Sequence, residues 1–191
     1  MVEAMDLHPD AAVGLSQQDD EPEPFPVQLS PAEAWRRQFL GKGCLGCGPT
    51  GAIIRRSAFE QAGGFREWGL LSDIDMWLRL TKQWPVVLLQ PALVWWRRHD
   101  SQEFNRSDAA QFYLSKGFAL IEESLNSTDC PLPVAERREA LKVARRRHAR
   151  SLVGMAVKKG RPQTAWTLLQ ESRLSSGEVL GALMGRRRSR K

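Results

Sequence analysis

Two groups of residues have types and spacings that could do chemistry. The first is Ser72-Asp73-Ile74-Asp75-Met76-Trp77-Leu78-Arg79. Carboxylates two residues apart can hold a hard divalent cation, which takes oxygen ligands. Such a pair does so from the end of a buried strand, where both carboxylates face the ion. Here it follows Gly69-Leu70-Leu71 and precedes Ile74, Trp77 and Leu78, an apolar face at helical spacing. Asp73 and Asp75 therefore open an amphipathic helix, which argues against a metal role. Asp75 and Arg79, four apart, suit a helical ion pair worth a few tenths of a kcal/mol, roughly. Asp19-Asp20, in an acidic, proline-rich stretch, is a weaker cation candidate. The second group is Cys44-Leu45-Gly46-Cys47. Structural zinc needs four ligands, but no second pair follows. Cys130 and the three histidines are scattered, so a glycine-rich approach to a strand is the better account.

The elements that must position these residues are legible from caps and periodicity. Ser30-Pro31-Ala32-Glu33 reads as a helix start with a capping box and proline at the first helical position. Trp35, Phe39 and Leu40 form the buried stripe, and Gly41 stops it. Ala11 to Leu15 and Ala52 to Arg55 read as strands. Ser57-Ala58-Phe59-Glu60 reads as a second capping box, on a short helix that ends at Gly63-Gly64, with Phe65 as an anchor. Ser72, with Asp75 three residues on, opens the next helix. Val86 to Leu89 and Ala92 to Trp96 read as two short strands broken by Pro91. His8-Pro9-Asp10 is a turn and Gln17 to Pro26 a loop. Beyond about Ser107 the pattern is helix only, near 108–125, 134–159, 162–173 and 176–184, punctuated by Pro133, Gly160 and Pro162. The tail 186–191 is basic and expected to be disordered.

Composition is that of a globular chain, with 42% apolar and 26% charged residues over 191. No run is apolar enough to span a membrane, and no basic stretch followed by an apolar one marks a signal peptide. Three cysteines make no disulfide framework, so the cytoplasm is the expected compartment. Charge is uneven. Residues 1–30 hold seven acids and no Lys or Arg, whereas 135–191 hold sixteen bases against four acids. Such an excess suits phosphate-rich partners or an anionic membrane face, or is simply a solvated helical surface. Nucleic acid is disfavoured, because single-strand binders interleave aromatics with cations and Trp166 is the one aromatic beyond Phe118. The helix over 134–159 carries a basic face, with Leu141, Leu152, Val153 and Val157 expected opposite it. That face could lie on a membrane, but packing on the rest of the chain is the preferred reading.

Three segments stand in order: Thr50 to Phe59 with Gly63-Gly64-Phe65, then Ser72 to Leu80, then Trp96-Arg97-Arg98-His99-Asp100-Ser101. Together they resemble the second half of family 2 glycosyltransferases of the GT-A fold. In that family a strand ending in Arg-Arg, a short helix and Gly-Gly-Phe precede Glu-Asp-x-Asp-Leu-Trp-x-Arg-Leu, and a strand closing on Arg-x-His follows. The resemblance implies an α/β fold: a partial GT-A-like mixed sheet over 1–105, a helical appendage over 106–185 and the tail 186–191. It implies an inverting enzyme that moves a sugar from a nucleotide-sugar donor to a glycan or lipid-linked acceptor, in cell-surface polysaccharide assembly. Asp73 would be the general base, and the positive end of its helix would keep it ionised at neutral pH. Ser72, Trp77, Arg79, Gly63, Gly64, Arg98 and His99 would contact acceptor or donor, with His99 also near the metal. Ser72 stands where the family has Glu, which puts the acceptor contacts in question. The complete enzyme would need Mn²⁺ or Mg²⁺ to neutralise the departing diphosphate. The family places that metal motif and the nucleotide pocket in a first half that this chain lacks.

Two further expectations follow. An open half-sheet exposes an edge, so the chain should self-associate or require a complementing N-terminal half. The alternative function is a non-catalytic interaction module, or a degenerate transferase. Its basic helical region would bind a partner or an anionic surface, with peripheral contact at the inner face of the membrane.

Overall fold

The computed structural model describes residues 1–17, 24–95, 97, 99, 102, 105 and 108–184. Asp19, Asp20, Trp96, Arg98, Asp100, Ser101 and the tail 186–191 lie outside the described residues. The fold is mixed α/β. Four short strands, β1 (Val13–Ser16), β2 (Val27–Leu29), β3 (Ala52–Ile54) and β4 (Val86–Leu89), form one sheet in the order β2-β4-β1-β3. β1 runs parallel to β4 and antiparallel to β3, while β2 pairs antiparallel with β4. Every residue of β1 and β4 is buried, as expected of central strands covered on both faces. Val13 sits opposite Val86 and Leu15 opposite Leu88. These side chains join the main core under α2 (Pro31–Leu40) and α4 (Ser72–Gln83). The other face, with Val87 and Leu89, packs on Met5 from α1 (Val2–Asp6). Gly14 is required there, since an added Cβ would stand 2.9 Å from Ile53 and 3.0 Å from the Met5 sulfur.

Local signals determine α2. The Ser30 hydroxyl accepts from the Glu33 N–H, and the Glu33 carboxylate accepts from the Ser30 N–H at 2.9 Å. A buried indole then holds α2 to α4. The Trp35 N–H donates to the Thr81 hydroxyl at 3.1 Å, and that hydroxyl donates to the Trp77 carbonyl at 2.7 Å.

Several expected details change. α3 (Arg56–Gln61) starts one residue before Ser57 could cap it, and Glu60 pairs with Arg56 at 2.8 Å instead. α4 has no side-chain cap: the Ser72 hydroxyl donates back to the Gly69 carbonyl and Asp75 turns to Arg79. Ala92 to Trp95 form a turn and a bend rather than a strand. Ala92 takes φ 63, which no β-strand accommodates. β2 and α1 form where the sequence pattern marks no element.

The remaining helices are α5 (Ala109–Asn126), α6 (Val134–Lys158), α7 (Pro162–Glu171) and α8 (Ser176–Met184). Leu120, Leu125, Leu132 and Ala140 share the sheet's core, while Leu152, Met155, Ala165 and Leu168 form a separate one. Arg145 joins this layer together. Its guanidinium meets Glu122 of α5 at 2.5 Å and Glu178 of α8 at 2.5 Å, and donates to the Arg173 carbonyl at 2.9 Å. Val157 departs from the expected apolar face and is 74% exposed. No helix of the described residues is long and apolar enough to cross a membrane.

Candidate active site

β1 and β4 end together, tied by the Ser16 hydroxyl donating to the Gln90 carbonyl at 2.9 Å. In open α/β sheets the crevice beyond the carboxyl ends of parallel strands is where ligands bind. The glycine-rich run 41–51 folds over this end and buries Cys44 and Cys47. The Trp77 indole N–H fixes it by donating to the Cys47 carbonyl at 2.7 Å. A cavity of about 220 Å³ lies here, lined by Ser16, Gln17, Gln38, Lys42, Cys44 and Cys47.

Asp73, in the first turn of α4, is half-buried and within electrostatic reach of Cys47. One carboxylate oxygen accepts from the Ile74 N–H at 2.8 Å, and no cation among the described residues lies within ion-pair distance of it. Burial raises its pKa above the ordinary carboxylate value, and the backbone N–H groups of Ile74 and Asp73 offset this only in part. The expectation that the helix end would favour its charge is thus outweighed by desolvation. Burial first, and then the Asp73 charge, pushes up both the Cys47 thiol and the Tyr113 phenol. Cys47 and Tyr113 are therefore its electrostatic neighbours. The Tyr113 hydroxyl donates to the Leu70 carbonyl at 3.4 Å. α5 reaches this point because Gly69, at φ 55, lets the Phe112 ring approach closely.

The other residues of the motif turn inward. Asp75 is 2% exposed and bound by Arg79 at 2.8 Å, with Arg66 at 3.8 Å. Arg79 also donates to the carbonyls of Ala62 and, at 2.7 Å, Gly64. It thereby fixes the turn in which Gly63 and Gly64 take φ 77 and 69. Trp77 is fully buried, with its ring edge-on to Phe65 at 6.4 Å. Ser72 accepts from the Trp68 N–H at 3.2 Å as well as donating to Gly69. Gly63, Gly64, Trp77 and Arg79 thus build the frame around α4, and Asp73 is the carboxylate of the motif left without an ion partner among the described residues. Arg98 lies outside the described residues. His99 is exposed, its carbonyl bound by Asn105 at 3.0 Å. No group of three His, Cys, Asp or Glu among the described residues could hold a metal ion.

Sequence reasoning missed Tyr113 and Cys47 as neighbours of Asp73, and no local pattern marks either. It also missed Trp95, 82% exposed with the Arg97 guanidinium 5.9 Å from its ring centroid. Comparison with protein-family models, with curated proteins and with solved structures returns no match.

Proposed function

We propose that this chain is the acceptor-side half of an inverting nucleotide-sugar glycosyltransferase with a GT-A-like sheet, and that Asp73 is its general base. The observation that carries the reading is the division of labour between the two carboxylates of α4. Asp75 is buried and neutralised by Arg79, whereas Asp73 is half-buried, has no ion partner among the described residues and lies within electrostatic reach of Cys47, which lines the cavity at the ends of two parallel strands. A raised pKa makes a carboxylate a stronger base, which suits the abstraction of a hydroxyl proton.

In the reaction, an Asp73 carboxylate oxygen takes the proton from the acceptor hydroxyl as that oxygen attacks the anomeric carbon. The new bond forms on the face opposite the leaving group. The anomeric C–O bond breaks, and its electron pair departs with the nucleoside diphosphate. Donor binding falls to the half of the enzyme that the resemblance places before these residues. The described residues do not assemble a cation site, and no step is assigned through one. The exposed basic face of α6 favours a second reading, a surface-binding module.

The test is transfer by this chain together with the segment encoded immediately upstream. A panel of nucleotide sugars would be supplied with a glycan or lipid-linked acceptor. Asp73→Asn should lower the rate by at least about a hundredfold, the usual contribution of a positioned base, with an unchanged thermal transition. Full activity in a folded Asp73→Asn protein would remove the base assignment.

A further inference from the structure

α6 sorts its side chains by face. Ala140, Ala144, His148, Leu152 and Met155 are buried, at three- and four-residue steps that keep them on one side. Lys142, Arg146 and Arg150 recur every four residues on the opposite side and are exposed, with Arg138 and Arg147 flanking them. From Arg138 to Arg150 this ridge runs for roughly 18 Å at the helical rise. Val157, 74% exposed, returns to the same side three turns beyond Arg146.

From α6 onward the chain has little with which to neutralise these cations. Residues 135–191 hold four acids: Glu136, Glu139, Glu171 and Glu178. Glu136 is bound by Arg36 of α2 at 2.9 Å, and Glu178 by Arg145 at 2.5 Å. Among the described residues Glu139 approaches only Lys142, at 3.7 Å. No carboxylate of the described residues pairs with Arg138, Arg146, Arg147 or Arg150. Arg145 shows what packing does to a cation on this helix, since it turns inward onto two carboxylates while its neighbours in the run do not.

We infer that this face of α6 docks on an anionic lipid bilayer, with the ridge cations at headgroup phosphates and Val157 at the acyl boundary. A straight row of cations flanked by an aliphatic side chain suits a planar anionic interface. The ridge carries no aromatic side chain to stack on bases, which single-stranded nucleic acid would require. The inference does not rest on the role of Asp73.

The experiment is co-sedimentation of the full chain with phosphatidylcholine vesicles containing about 30 mol% phosphatidylglycerol, beside vesicles of phosphatidylcholine alone. Binding should require the anionic lipid and weaken steeply between about 0.05 and about 0.5 M salt. Each cation at such a surface contributes about fivefold in partitioning, so Arg146→Glu with Arg150→Glu should lower binding by at least about 25-fold. A control with the same charge change elsewhere, Arg56→Glu with Lys116→Glu, should keep most of it. All four positions are exposed. If the glutamate pair unfolds, Arg146→Gln with Arg150→Gln replaces it. The inference is overturned by equal binding to uncharged vesicles, by no binding, or by equal loss in control and ridge variants. Loss on removing residues 185–191 alone would overturn it in favour of the tail. A protein that shifts a DNA fragment but ignores vesicles would overturn it in favour of nucleic acid.

Discussion

His148 couples the stability of this fold to pH. It is 6% exposed, and its ring lies flat on Phe118 with centroids 4.0 Å apart. Its Nε2 is buried and has no hydrogen-bond partner among the described residues. Lys116, Glu122 and Glu171 line the cavity of about 190 Å³ beside it, and Arg145 is one helical turn away. Burial, then repulsion from Arg145, lowers its pKa from the ordinary 6.5 to about 4. The folded protein therefore resists the proton. Below pH 6.5 the unfolded chain takes up a proton that the folded chain refuses until about pH 4, so stability falls as pH drops through this window. The full difference is about 3 kcal/mol, and about 2 kcal/mol is lost between pH 7 and pH 5. His148→Phe keeps an aromatic ring on Phe118 and removes both the titration and the orphaned nitrogen. Urea unfolding of both proteins at several pH values isolates the effect, because Glu178, Asp129 and Glu33 contribute equally to each. At pH 7 the variant should be as stable as the parent or more so, since an unsatisfied buried polar group costs about 1–3 kcal/mol. At pH 5 its advantage should grow by about 2 kcal/mol. Parallel pH profiles would refute the reasoning.

Two other substitutions test the frame that presents Asp73. Arg79→Met leaves the Asp75 carboxylate buried without its close partner and removes two carbonyl contacts to the Gly63-Gly64 turn. It should cost about 3 kcal/mol or more, and Asp75→Asn in the same chain should recover at least about 1 kcal/mol. Denaturant midpoints of the four proteins in that cycle would measure it, and additive losses would show that the pair is not coupled. Gly69→Ala places a β-carbon at φ 55 and 3.1 Å from the Phe112 ring. A loss of about 1–2 kcal/mol is expected for the left-handed backbone alone. Thermal unfolding showing no loss would mean that α5 does not need this close approach.

What could be read in advance was what neighbouring residues decide between themselves. The Ser30–Glu33 box spans one turn, and its two reciprocal hydrogen bonds form as the residue types require. Asp75 and Arg79 are one turn apart and pair. The helices from Ala109 onward start and stop near their proline and glycine signals. Reading failed where a distant segment supplied the partner. β2 is three residues long, too short to show a period, and is a strand because Val27, Gln28 and Leu29 align with Leu88, Val87 and Val86. Ala92 to Trp95 have strand-like composition, but Ala92 turns left-handed after Pro91, which has no N–H to extend a ladder.

The site divides in the same way. The sequence by itself set Asp73 in the first turn of an amphipathic helix, gave Asp75 a cation one turn away and concentrated positive charge in the last third of the chain. Those outcomes depend on contacts within a turn or on composition, which a linear string displays. Packing between distant segments set Tyr113 and Cys47 near Asp73, made burial outweigh the helix end in its pKa, buried Trp77, and turned Arg145 inward while Arg146 and Arg150 stayed outside. Desolvation and long-range pairing depend on segments tens of residues away, and these meet only when the hydrophobic core closes around them.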